Sequence, residues 1–151
     1  MKEPIYKDDL KRVLINGSIY ALLIGVLSGA LQFLAETYMH LSFGIFVLII
    51  AYMVARKIKE SFFTFHLSYP LFAVLFFLLG FICYNFTKIL FVFRDLSLTL
   101  KFFFSLNGLN YIFPFLNIFN YQGIYILNNL IDLIIFISAI VMAWQFVFRQ
   151  R

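Results

Sequence analysis

From Val13 to Tyr38 the chain reads as one apolar run, with strongly polar side chains only at Asn16, Gln32 and Glu36. Three more such runs follow, at 39–55, 70–93 and 124–148. A helix of about 20 apolar residues crosses the hydrocarbon core of a bilayer. Inside lipid the backbone must satisfy its own hydrogen bonds, which leaves helices and closed barrels as the spanning structures. Composition points the same way: 64% of residues are hydrophobic and 13% charged, against roughly 45–50% and 25% in soluble domains. A soluble domain of 151 residues buries only about two-thirds of its chain's surface, too little to hide this much apolar area. The expected fold is all-α: one integral membrane domain, a four-helix bundle.

The second run is short and stops at Arg56, Lys57 and Lys59. To reach spanning length it is expected to recruit Met39 and His40, forming a tight hairpin with the first. Pro70 suits the first turn of the third helix, where a missing N–H costs nothing. Nine of the twelve lysines and arginines flank the start of run one, the end of run two and the end of run four. Arg94 and Lys101 lie on the other side, and Lys88 inside run three. Basic residues stay in the cytoplasm, so both termini are expected inside, in a multi-pass protein of a bacterial plasma membrane. The net charge of +5 is distributed as topology requires, so no nucleic-acid partner is expected.

Gly17, Ala21, Gly25 and Gly29 recur at every fourth position and share one helix face. A small-residue stripe lets a second backbone approach closely, the main packing device where lipid removes the hydrophobic drive. Two readings follow: span two or span four packs there, or the stripe docks another subunit or a second copy. Beyond Gly29 the same face leads to Gln32 and Glu36. Span three carries Asn85 and Lys88 near its outer end, and span four carries Asn128, Asn129 and Asp132 near its start. Gln32, Glu36, Asn85, Lys88, Asn128 and Asp132 therefore form a candidate binding cluster at one depth in the outer leaflet. An intramembrane carboxylate is costly unless paired or solvated, and Lys88 is the available partner for Asp132 or Glu36. The cluster reads as a structural lock, a polar vestibule, a catalytic carboxylate or a contact with a partner subunit.

Residues 94–123 form the longest connection and are studded with Phe and Tyr, from Phe102 to Tyr121. Aromatic rings favour the membrane interface, so an interfacial or re-entrant loop is expected. Within it, Leu106–Tyr111 (LNGLNY) is echoed by Leu116–Tyr121 (LNIFNY), with the asparagines expected to satisfy backbone groups.

No catalytic or metal constellation stands out. Glu36 and His40 lack a third ligand, which a zinc site needs. His66 falls on the opposite side, and Cys83 sits among apolar residues that keep a thiol inert. A single cysteine excludes an internal disulfide. No phosphate-binding or dinucleotide motif occurs, and no cofactor is expected. The leading expectation is non-enzymatic: a subunit or accessory protein of a membrane assembly, for transport or secretion, acting through helix packing, with the bilayer and a protein partner at helix one. A small oligomeric transporter or channel using the outer cluster comes second, and a membrane-embedded enzyme third.

Overall fold

A computed structural model of the chain describes residues 6–40, 44–113 and 124–149. All regular structure among them is helical: α1 (Lys7–Met39), α2 (Ile45–Lys59), α3 (Ser68–Phe93), α4 (Leu96–Phe103), α5 (Leu106–Ile112) and α6 (Ile124–Phe148). Three helices are long and apolar enough to cross a membrane: α1, α3 and α6, the last over Leu127–Phe148. In the most apolar window of α6 only 17% of residues are buried within the protein. On α1, Leu22, Leu23, Val26, Leu27 and Leu31 all stand exposed. So much outward-facing aliphatic surface fits a lipid solvent.

The second run differs from the sequence reading. Met39 is the last residue of α1, and His40 closes that helix in the left-handed conformation with φ 53°. Neither extends α2, which starts at Ile45 and runs through Arg56 and Lys57 to Lys59. Its 15 residues cover about 22 Å at 1.5 Å each, short of a bilayer core of about 30 Å.

Side-chain contacts fix the helix directions. Gly17, Gly25 and Gly29 of α1 lie against Phe76, Gly80 and Tyr84 of α3, so α1 and α3 run parallel. Gly44 meets Ile135, and Lys59 meets Phe146, so α2 and α6 run parallel. Asn16, early in α1, bonds Ser61 just after α2, so the two pairs are antiparallel. The starts of α1 and α3 and the ends of α2 and α6 therefore share one end of the protein. Helix α1 packs chiefly on α3 and α6 chiefly on α2, while α2 and α3 pack on each other. Ile50, Val54, Ile58, Tyr69 and Phe77 fill the fully buried centre, with Ala139, Ala143 and Val147 facing them from α6.

Between α3 and α6 the chain turns through two short helices. Asp95 caps α4, its Oδ1 accepting from the N–H groups of Ser97 (2.7 Å) and Leu98 (3.2 Å). Ser105 Oγ caps α5 by accepting from Gly108 N–H at 3.1 Å. Such caps satisfy the otherwise free first-turn donors. The first copy of the repeat is α5 itself. Asn107 and Asn110 make no hydrogen bond to a described residue, so Asp95 and Ser105 do the capping expected of them. The second copy lies outside the described residues.

Candidate functional site

The stripe on α1 is buried, and its neighbour is α3 rather than span two or span four. A methyl group at Gly29 would stand 2.5 Å from the Tyr84 carbonyl oxygen and 2.9 Å from Thr87 Cβ. One at Gly25 would collide with the Gly80 carbonyl. The small residue on the other side is Gly80, where a methyl group would sit 3.2 Å from the Ala21 carbonyl. Two backbones thus touch where both helices lack side-chain bulk. The stripe is occupied within the chain.

Beyond Gly29 the same face carries the polar cluster expected in the outer leaflet. Gln32 is 1% exposed. Its Nε2 donates to Glu36 Oε1 at 2.7 Å, and Lys88 Nζ reaches the same oxygen at 2.7 Å. The lysine side chain is 13% exposed and the glutamate 33%. Carboxylate, amide and ammonium therefore form one connected unit across the α1–α3 interface. Glu36 also fixes the amide's orientation, since turning it over would set two acceptors face to face. As a consequence Gln32 Oε1 is buried with no hydrogen-bond partner among the described residues. Above the ammonium lie the rings of Tyr84 at 5.7 Å and Tyr111 of α5 at 5.8 Å, within cation–π reach. The connection between α3 and α6 thus contributes a wall to this cluster.

The other members are placed differently. Asn85 is buried but turns back on its own helix, donating to the Phe81 carbonyl at 3.0 Å. Asn128 and Asp132 stand exposed on α6, with Asn129 partly buried beside them. None of the three has a hydrogen bond or an ion pair with a described residue. Lys88 bonds Glu36 and acts on Asp132 only as a more distant charge.

At the opposite end lies a cluster that the sequence reading missed. Asp9, in the first turn of α1, is 5% exposed. Its Oδ2 accepts from the N–H groups of Phe63 and Thr64 at 3.2 Å each and from the Thr64 hydroxyl at 3.0 Å. Burial pushes the carboxyl's pKa up, but the Thr64 and Phe63 N–H donors, the Thr64 hydroxyl and Arg12 outweigh it. They hold it below its ordinary value of 3.8. Nearby, Asn16 Nδ2 donates to Ser61 Oγ at 3.0 Å, and Ser61 donates on to the Lys57 carbonyl at 2.7 Å. Arg12 covers the Phe63 ring at 5.1 Å. The α2–α3 loop is thereby fastened to the start of α1.

A signal for Asp9 was present. Asp9, Val13, Gly17, Ala21, Gly25 and Gly29 are spaced by four and are all buried. Extending the stripe backward, as it was extended forward to Glu36, reaches the buried carboxylate. Among the described residues no three of His, Cys, Asp and Glu gather as metal ligands. No family model, characterised protein or solved structure matches this chain.

Proposed function

We propose that the chain is a subunit of a membrane assembly and that a protein partner covers the outer half of α6. One observation carries this reading. Asp132 and Asn128, four residues apart on one face, stand exposed in an apolar helix, and neither side chain makes a hydrogen bond or a close ion pair with a described residue, Lys88 acting on Asp132 only as a more distant charge. A carboxylate in hydrocarbon costs about 2.5 kcal/mol or more, so a partner offering a cation or hydrogen-bond donors would be favoured there. With the α1 stripe packed on α3, this reading places the partner on α6 instead. This fits a non-enzymatic accessory or scaffolding role, in transport or secretion among other assemblies. A photoreactive residue at Asn128 or Ile131 is expected to cross-link one defined polypeptide in native membranes, while one at Val26 should give lipid adducts. Lipid adducts at all three positions would remove the basis for this role.

The topology proposed with it has four crossings, α2 included, and both termini in the cytoplasm of a bacterial cell. Its support is the gathering of Lys7, Lys11, Arg12, Arg56, Lys57, Lys59 and Arg149 at one end. In a Cys83→Ala background, Phe104→Cys should react with an impermeant thiol reagent on intact cells and Lys59→Cys should not. The reverse pattern overturns the orientation.

The transporter reading keeps one supporting observation, the buried and unpartnered Gln32 carbonyl beside a carboxylate that is one-third exposed. Solute or ion flux in proteoliposomes of the pure protein, abolished by Glu36→Gln, would favour it over the subunit role.

A further inference from the structure

A groove of about 610 Å³ lies between α2 and α6 at the basic end of the protein. Its floor is Ile137, Val141, Met142 and Phe146, with Ser138 and Gln145 along it and Lys59 and Arg149 at one end. All but Phe146, Met142 and Lys59 are exposed, so the groove opens sideways where lipid would lie. From Ile137 to Arg149 it follows α6 for about 18 Å, an extended acyl chain's scale, and ends where the helix leaves the apolar zone.

Among the described residues the charges at that end are uncompensated. Glu60 is taken by Arg56 at 3.0 Å and Lys57 at 3.8 Å. Neither Lys59 nor Arg149 has a carboxylate partner among the described residues, and no acid lines the groove. Lys59 is held over the Phe146 ring, its Nζ 4.6 Å from the centroid. That contact fixes the ammonium at the rim of the apolar floor, where a phosphodiester would meet it.

We propose that this groove binds an anionic glycerophospholipid, with its phosphate between Lys59 and Arg149 and one acyl chain along Ile137, Val141 and Met142. Two cations without an acid favour an anionic headgroup over a zwitterionic one, and the open apolar floor favours a lipid over a soluble phosphate. The inference rests on the chain's residing in a membrane, and not on a protein partner at the outer half of α6.

The test uses the full chain in phosphatidylcholine vesicles doped with spin-labelled phosphatidylglycerol or spin-labelled phosphatidylcholine. The immobilised fraction of each label gives the preference for the anionic lipid. Lys59→Gln and Arg149→Gln are each expected to lower that preference about fivefold, the effect of one basic residue near a membrane surface. Lys59→Arg keeps it, and Lys7→Gln with Lys11→Gln, which removes two charges from exposed sites at the same end against one in each groove variant, leaves it intact. Ser138→Phe fills the floor without changing charge and should release both labels. Each variant is scored only at unchanged helix content by circular dichroism, and the single variants serve if the double fails to fold. The proposal is overturned if the Lys7 and Lys11 variant loses as much as the groove variants, which would mean diffuse attraction. It is equally overturned if Ser138→Phe releases neither label, or if Lys59→Gln and Arg149→Gln change nothing.

Discussion

The two ends of the α1 stripe handle a buried carboxylate in opposite ways. At the outer end, Glu36 is matched by a full charge, Lys88, through two long side chains meeting across the α1–α3 interface. At the basic end, Asp9 has no ion pair among the described residues and instead collects two backbone N–H groups and a hydroxyl from one loop. The difference follows the surroundings. Backbone donors in a spanning helix are consumed within the helix, so a carboxylate at depth must find a side chain. A connecting loop has free N–H groups, and a short acid can organise them. An acid's partner in such a chain is thus set by its depth, and each end should fail in its own way.

The largest effect is expected midway, where the stripe joins the two ends. Gly25→Leu drives a branched side chain into the Gly80 backbone, which cannot rotate away. Overpacking typically costs about 1–3 kcal/mol, and a backbone obstacle puts this variant at the upper end. Gly17→Leu first meets the Phe76 ring, a side chain rather than backbone, and should cost less. Thermal unfolding in detergent ranks the two, and equal melting temperatures would mean that the close approach of α1 and α3 is not what holds them.

Next comes the outer pair. Lys88→Met leaves Glu36 with Gln32 alone. Removing one partner of a fully buried pair costs about 3–5 kcal/mol. With Glu36 one-third exposed, about 2–3 kcal/mol is expected here. Adding Glu36→Gln should recover most of it, because no uncompensated charge remains. If the double variant is no better than Lys88→Met alone, lost packing of the lysine stem beneath Tyr84 and Tyr111 is the cause, and the contrast between the ends weakens.

The outer end was the more legible of the two in the sequence. Gln32, Glu36 and Lys88 interrupt apolar runs, and a polar side chain in such a run announces itself. The helix period then put the first two on the stripe's face. The choice of Glu36 over Asp132 for Lys88 was not readable, because it depends on α1 and α3 running parallel in closer contact than α3 and α6. The stripe was legible as a packing face, but its neighbour was not. Gly80 is the single glycine in α3, with none of the regular glycine spacing that marks α1. Asp9 was hidden by its company. Set between Asp8 and Lys11, it resembles any solvated charge near a terminus, and its donors come from a loop more than fifty residues away. Arg56, Lys57 and Lys59 end the apolar run but not the helix, because basic residues in a last helical turn favour the carbonyl end of the helix dipole.

At the basic end the contrast gains a pH signature. Asp9→Asn keeps the shape but loses the charge that two N–H groups and a hydroxyl address, for an expected loss of about 1–2 kcal/mol. The folded protein holds this carboxyl below its ordinary pKa. Its contribution is therefore present above the unfolded value of about 4 and disappears as pH falls through the lower folded value. Melting curves taken downward from neutral pH should converge for wild type and Asp9→Asn in acid. A gap that stays constant into acid would show that the carboxylate's charge is not what the loop reads.

The smallest effect expected is at Asn16, beside Asp9 but differently bonded. Its amide donates to Ser61 Oγ, and Ser61 keeps its own bond to the Lys57 carbonyl when Asn16 is removed. Asn16→Leu therefore strands no buried donor. Interhelical polar contacts in membrane proteins average about 0.6 kcal/mol, and this neutral, partly exposed bond should lie near that figure. The measurement is the same detergent melt, with Asn16→Leu, Asp9→Asn and the double variant compared in one cycle. If Asp9 fastens the loop on its own, the two losses add. If Asn16→Leu costs as much as Asp9→Asn, or the double variant costs no more than either, the loop is held by one cooperative network. The basic end would then resemble the outer one, where amide and charge already work as a unit.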